Sequence, residues 1–458
     1  MTNWLATLRV YWQPRVRGML FLGFSAGLPL LLVFGTLSFW LREAGIERST
    51  IGFLSWVALA YGFKWAWAPL VDRLPLPGLT RRLGRRRGWM LLAQLLVMAG
   101  LTGMALSEPR QGLTLFALLA LLVAFSSATQ DIAIDAYRIE AVEEVMQGAM
   151  ASSYMVGYRL AMIVSGAGAL AIAAWFDGAM SGYQQGAWMA AYLSMAGLML
   201  VGVVTVLLID EPAVSPDPAT LRREAGMEQR IEHQGWMPPP LRAFIEWFYD
   251  AVISPFADFI GRYRWQALLV LSLIATYRIS DVVLGVISNV FYVDQGFSKT
   301  EVATITKVYG VVMTLVGAGL GGLLMLRIGI MRVLFLGALL AAATNLLFVL
   351  LAGLGHDVPM LTLVISLDNL SGGLATSAFI AYLSSLTNVS YSATQYALFS
   401  SVMLLLPKLL GGFSGVMVDE MGYPLFFLMT ALMGVPVLIL ILLAMRYVPA
   451  TGYPRSDA

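Results

Sequence analysis

The segment FSSATQDIAIDAYRIE, residues 125–140, closes an apolar run, LFALLALLVAFSSA, yet carries Asp131 and Asp135 one helical turn apart, with Gln130 and Arg138 beside them. Residues i and i+4 share a helix face. Two desolvated carboxylates that close resist carrying two charges together, so one of them can carry a proton. The pair can equally serve as a gate, holding Arg73 or the arginines at 85–87 in ion pairs that close one side of a pore. Asp72, Arg73, Asp135 and Arg138 are the candidates for that role.

These groups must be positioned by elements that live in lipid. The 458 residues are 59% hydrophobic and 12% charged, whereas soluble chains carry about 25% charged residues. Long stretches lack the polar face that a soluble helix needs every turn. A net charge of +2 gives no reason to expect a nucleic-acid partner. Cysteine is absent, which excludes disulfides, thiol catalysis and thiolate metal sites. The two histidines, His233 and His356, lie outside the apolar runs, so no metal or cofactor is expected and any proton movement must use carboxylates. The N-terminal stretch has a basic flank, a long apolar segment and no small-residue cleavage site, and reads as a retained first span.

A helical span needs about 20 apolar residues. Twelve segments qualify: 17–41, 49–71, 88–107, 112–137, 147–175, 186–209, 265–293, 300–325, 331–352, 358–387, 392–418 and 423–446. With both termini cytoplasmic, the outer loops carry only Arg42, Arg48, Arg110 and Lys299, and the remaining loop cations fall inside, as the positive-inside rule requires. The expected organisation is an all-α membrane protein of two six-helix bundles, 1–209 and 265–458, joined by a polar linker at 210–264. Within the linker, Leu241, Phe244, Ile245, Phe248, Val252, Ile253, Phe256 and Phe259 share one face of an amphipathic helix, expected on the inner membrane surface or docked on a partner.

An ionisable group at mid-bilayer costs about 2.5–3.5 kcal/mol on insertion scales. Lys64, Asp131, Asp135, Arg138, Arg159, Arg278, Asp281, Lys307, Asp368 and Lys408 all lie within or at the ends of spans. They are expected to face one another or a water-filled chamber. Asp131, Asp135, Asp281 and Asp368 are the proton-coupling candidates. The more central cations, Lys64, Arg159, Arg278 and Lys408, outnumber the central acids, which favours an anionic ligand. Lys64 sits among Tyr61, Trp65 and Trp67, a setting that suits a sugar-like anion but also fits a snorkelling lysine. Arg278 and Asp281, at i and i+3, can also neutralise each other. The polar stretch from Asn369 to Asn388 suits a hydroxylated ligand or helix packing.

The two halves echo each other. Arg159 follows Gln147 in span five much as Lys408 follows Gln395 in span eleven. The loops APLVDRLPLPGLTRRLGRRRG and GGLLMLRIGIMR both resemble the G-x-x-x-D-R-x-G-R-R signature of the major facilitator superfamily, the second with Leu326 where the acid would stand. More specifically, GFSAGLPL, YGFKWAWAPLVDR, RRRGWM, SSATQDIAIDAYRIE, GYRLAMIVSG, YRISD, DNLSGGLATSAFIAYLSSLTN and YSATQYALFS resemble the AmpG muropeptide permeases across nearly all of residues 11–430.

The resemblance implies a bacterial inner-membrane importer of GlcNAc–1,6-anhydro-MurNAc, with or without peptide, driven by protons and working as a monomer. It carries Gly27, Lys64, Gln130, Asp131, Asp135, Arg159, Arg278, Asp281, Asn369 and Gln395 over as functional positions. Gly27, Tyr61, Lys64, Gln130, Arg159, Arg278, Asn369, Gln395 and Lys408 are the substrate-binding candidates. Two departures stand out: family members usually carry Glu where this chain has Asp368, and longer members add two C-terminal helices. Rival functions are transport of another organic anion, such as an acyl-CoA or a different glycoconjugate, and a polytopic enzyme acting on lipid-linked substrates. The second lacks the membrane His and Cys such enzymes use.

Overall fold

The computed structural model describes residues 9–46, 54, 57, 59–177, 183–213, 245–297, 301–411 and 413–448. Among these, every element is helical. In lipid this follows from the need to satisfy each backbone N–H and C=O inside its own segment.

The first half contains α1 (Pro14–Leu32), α2 (Gly35–Glu43), α3 (Leu59–Phe63), α4 (Ala68–Arg73), α5 (Leu79–Leu83), α6 (Arg85–Leu106), α7 (Leu113–Glu140), α8 (Gln147–Ile163), α9 (Ala169–Asp177), α10 (Gln185–Leu198) and α11 (Leu200–Leu208). The second contains α12 (Ser254–Tyr263), α13 (Gln266–Thr276), α14 (Ile279–Asp294), α15 (Gly310–Ile328), α16 (Ile330–Leu354), α17 (Val358–Leu386), α18 (Ser392–Gly411), α19 (Ser414–Leu432) and α20 (Gly434–Tyr447).

Among the described residues, eleven stretches of helix are long and apolar enough to cross a membrane. They match eleven of the twelve expected spans; the second expected span, 49–71, is not among them. Its described part is broken: α3, a 3₁₀ turn at Lys64–Ala66, and α4. Pro69 sits in the first turn of α4, where its missing N–H costs nothing. At the other end of the chain, one helical stretch runs from Ser414 to Tyr447. Gly422, at φ 75° and ψ 165°, interrupts it where the turn between spans eleven and twelve is expected. Only glycine tolerates that conformation cheaply.

Close helix approach depends on missing side chains. A Cβ on Gly23 or Gly27 of α1 would strike the backbone carbonyls of Tyr154 and Tyr158, and one on Gly157 of α8 would strike that of Leu20. Without such glycines α1 and α8 could not lie backbone to backbone, a common device in membrane bundles. Gly317 and Gly373 do the same for α15 and α17.

Of the amphipathic segment, Leu241 and Phe244 lie outside the described residues. The rest runs helically from Ile245 through a π turn at Tyr249–Ile253 into α12. Phe248, Ile253 and Phe256 are exposed, as a surface helix requires, while Phe259 is buried against Phe399.

Candidate functional site

Two buried side chains meet in the first half, Lys64 from the 3₁₀ turn and Asp135 from α7. They form an ion pair at 3.5 Å with only 10% and 8% of their side-chain surface exposed. Lys64 therefore points inward, and the snorkelling alternative fails. Asp135 also pairs with Arg138 at 3.1 Å. Asp131, one turn earlier, lies in the electrostatic reach of Lys64 and Asp135 and leaves one carboxylate oxygen without a hydrogen-bond partner. The hydroxyls of Tyr61, Tyr154 and Tyr158 lie within the field of Asp131.

The second half contributes Arg278 and Asp281, 4.0 Å apart and each about a quarter exposed. Asp281 and Asp368 feel each other's charge. Arg159 of α8 lies within the electrostatic reach of Arg278. Within the spans, ionisable groups thus meet one another: Lys64 and Arg138 meet Asp135, and Arg278 meets Asp281.

A second buried set of charges joins the two halves. Arg86 pairs with Asp72 at 2.7 Å and with Glu140 at 2.5 Å, all three almost fully buried. Asp72 in turn accepts the backbone N–H groups of Ala393 and Thr394, at 3.1 and 2.7 Å, and the Thr394 hydroxyl at 2.6 Å. Its negative charge therefore caps the N-terminus of α18, where the helix dipole is positive. Ser392 bridges Arg86 and Glu140. Deeper in, Arg138 donates to the Ser384 hydroxyl at 2.6 Å and lies 4.8 Å from the Tyr396 ring centroid. Tyr11 adds a third tie, donating to the Gly319 carbonyl at 3.2 Å. Burial pushes its phenol pKa up, so it stays a neutral donor.

This clasp corrects the expected gate pairing. The acids of α7 at 131 and 135 do not hold the arginines at 85–87; Asp72 and Glu140 hold Arg86, while Arg85 donates to the Asp72 carbonyl and Arg87 to those of Val206 and Leu207. Arg73 stacks over Tyr391 at 5.4 Å. Of the gate candidates, Asp72, Arg73 and Arg138 join the halves directly. Glu140, Ser392, Thr394 and Tyr396 were missed from the sequence. Glu140 ends the same acidic stretch of α7, which was the one available signal.

Four other candidates are engaged in packing between helices. Gln130 is fully buried inside the first half and donates to Ser25 at 3.3 Å, because it lies about 100° around the helix from Asp131. Gly27 serves the α1–α8 contact. Asn369 accepts from Thr314 and donates to the Ile365 carbonyl, both at 3.0 Å, within the α15–α17 packing. Gln395 donates to the Pro255 carbonyl and Asp258 and accepts from Arg262, anchoring α12 to α18. Lys408 is exposed, and the Lys307 side chain lies outside the described residues. No group of three or more His, Cys, Asp or Glu residues fit for a metal occurs among the described residues.

Residues 19–280 match the family model described as the Major Facilitator Superfamily. The anhydromuropeptide permease of Escherichia coli K12 is 35% identical, over 98% of this chain and 86% of its own. The chain is a Major Facilitator Superfamily transporter of the AmpG permease family. The putative transporter AmpG 4 of Rickettsia conorii is 30% identical over 95% of this chain and 97% of its own. Among solved structures, the transporter FucP in an outward conformation superposes with a TM-score of 0.65 at 15% identity, covering 95% of this chain and 99% of that one. The proton:xylose symporter XylE superposes at 0.62 and 14% identity, covering 98% and 97%. At such identities these two speak for the fold alone. The protein is a multi-pass inner-membrane carrier, not an enzyme.

Proposed function

We propose that the transporter imports anhydromuropeptides into the cytoplasm by alternating access, with the proton gradient as its energy source and no cofactor. The E. coli relative's description supplies the substrate class. What supports the proposal is the Asp72–Arg86–Glu140 clasp, which ties the first half to Ser392 and Thr394 of the second, together with the ion pairs of Lys64, Asp135, Arg278 and Asp281 inside the spans. The end with the clasp carries Arg73 and the arginines at 81–87 and is the cytoplasmic one by the positive-inside rule. The halves, 1–209 and 265–458, joined through 210–264, then rock against each other. In this scheme the clasp shuts the cytoplasmic side while substrate enters from the periplasm.

Asp131 is the proton carrier in this scheme. It is the acid in the spans of the first half that lacks a full set of partners, while its neighbour Asp135 is committed to two cations. A carboxylate that must be desolvated and is only partly compensated is poised to bind a proton. The deciding experiment is uptake into proteoliposomes. Radiolabelled anhydro-disaccharide and its tripeptide form accumulate faster when an inward proton gradient is imposed. Folded protein that moves no member of this series refutes the substrate assignment.

A further inference from the structure

We infer that Asp135 is a positioning residue of the transport cycle. It divides its two carboxylate oxygens between Lys64, a substrate-binding candidate, and Arg138, a tie between the halves, and so passes ligand charge on to the cytoplasmic closure. The inference rests on the reading that the ligand is an anion met by Lys64, and on the following geometry for the connection itself.

One oxygen of Asp135 lies 3.5 Å from the Lys64 ammonium, and the other 3.1 Å from Nη2 of Arg138. Both cations are buried, Lys64 with 10% of its side-chain surface exposed and Arg138 with none. From Nη1, Arg138 donates to the Ser384 hydroxyl at 2.6 Å and to the Ile380 carbonyl at 3.4 Å, and its guanidinium lies 4.8 Å from the Tyr396 ring centroid. All three of these partners belong to the second half. Nε of Arg138, its remaining nitrogen, is buried without an acceptor. Nε and Nη2 form one edge of the guanidinium, an edge that a carboxylate can take with two parallel hydrogen bonds. Asp135 fills one position of that edge because its second oxygen is turned to Lys64. A buried charged donor left without an acceptor keeps its desolvation cost, so two places compete for that second oxygen.

An anion beside Lys64 decides the competition. It takes over as the counterion of Lys64, the second oxygen of Asp135 moves to Nε, and Arg138 is drawn into a bidentate pair inside the first half. Two parallel hydrogen bonds fix the guanidinium in the plane of the carboxylate, and Nη1 turns away from Ser384 and Ile380. Lys64 stands on a 3₁₀ turn between α3 and α4, the kind of interruption that often marks a hinge. Just after this turn, α4 carries Asp72, which accepts the Thr394 backbone N–H of the second half. Displacement of Lys64 therefore reaches both ties between the halves, one through Asp135 and one through α4.

The test reads the seam between the halves directly. The chain has no cysteine, and Ala393, 1% exposed, belongs to the same buried cluster as Ala68 and Val71 of the first half. A single Ala393→Cys probe is labelled from the cytoplasmic side in proteoliposomes, with and without the anhydro-disaccharide. The backgrounds are the wild type, Lys64→Gln, Lys64→Arg, Asp135→Asn, Asp135→Glu and the pair Lys64→Gln with Asp135→Asn; ligand Kd and kcat are measured beside the labelling. In the wild type the ligand raises labelling at least fivefold. Lys64→Gln shows that rise with no ligand, because Asp135 turns to Arg138 unaided, whereas Lys64→Arg stays low until ligand is added. Asp135→Asn binds ligand with a Kd within threefold of wild type, shows no ligand-driven rise and loses kcat at least thirtyfold; Asp135→Glu recovers at least a tenth of it. The pair behaves as Asp135→Asn does, since the effect of residue 64 travels through residue 135. Ligand-free labelling of Lys64→Gln at the wild-type level overturns the inference. An equal ligand-free rise in Lys64→Gln and Asp135→Asn also overturns it, assigning the ion pair to architecture. Should Asp135→Asn fail to fold, Lys64→Gln against Lys64→Arg decides alone. A wild type that neither binds nor moves any anhydromuropeptide refutes the substrate assignment, and the ligand-free comparison of the two Lys64 variants still decides the role of Asp135.

Discussion

The carboxylate of Asp72, in α4, accepts the backbone N–H of Thr394, in α18, at 2.7 Å. A side chain of one half thus caps a helix of the other, across 322 residues of sequence. The same carboxylate compensates buried Arg86. Closure of the cytoplasmic end and neutralisation of a buried cation are one interaction, so the carrier cannot open that end without exposing Arg86 and Glu140 to water together.

Asp72→Asn removes the charge and leaves Arg86 with Glu140 alone. Breaking a buried ion pair by removing one partner typically costs about 3–5 kcal/mol, here taken from the closed state. The expected outcome is a shift toward the cytoplasm-open state. Because the chain has no cysteine, a single Ser384→Cys probe at the buried contact with Arg138 reports it directly. Thiol labelling from the cytoplasmic side rises at least tenfold in the Asp72→Asn background; unchanged labelling means that other contacts hold the end shut.

Asp131→Asn keeps the shape of the side chain and removes its ability to bind and release a proton. Gradient-driven accumulation is lost, while substrate exchange at equal pH on both sides retains at least a third of the wild-type rate. Full accumulation in this variant transfers the proton role to Asp281 or Asp368, the two acids of the second half that feel each other's charge.

Gly157→Ala tests whether glycine is there for packing. Its new Cβ would enter the Leu20 carbonyl, and neither backbone can yield alone. Folded yield in detergent is expected to fall severalfold, with a melting temperature lowered by several degrees. Gly372→Ala is the control: nothing lies within 4 Å of its Cβ position, and alanine in a helix interior gains up to about 1 kcal/mol over glycine. Gly27→Ala is expected to resemble Gly157→Ala, with a folding defect and not a selective rise in KM.

Gln395→Ala separates anchoring from substrate binding. The side chain ties Pro255, Asp258 and Arg262 of α12 to the start of α18. Its loss frees α12, and tryptic cleavage after Arg262 accelerates at least fivefold, while KM for the substrate stays within twofold of wild type. A large KM rise with unchanged cleavage would return Gln395 to the binding site.

Much of this transporter is legible along the chain. Apolar length fixes where helices must run, because lipid leaves the backbone no other way to satisfy itself. The cost of a charge in hydrocarbon marks Lys64, Asp131, Asp135, Arg159, Arg278, Asp281 and Asp368 as residues that must meet one another or water, and Lys64 with Asp135 and Arg278 with Asp281 form such pairs. What the chain alone does not reveal is which face of each helix turns inward and what approaches it. Gln130 and Asp131 are neighbours in sequence, yet one donates to Ser25 inside the first half and the other lies in the reach of Lys64 and Asp135. Arg85, Arg86 and Arg87 are identical in type, and only Arg86 becomes the buried partner of Asp72. Asn369 and Gln395 look like ligand groups until Thr314 and α12 are seen against them. Energy of burial is a property of each segment and can be read locally. Pairing depends on contacts between residues hundreds of positions apart, which exist only once the two halves have packed.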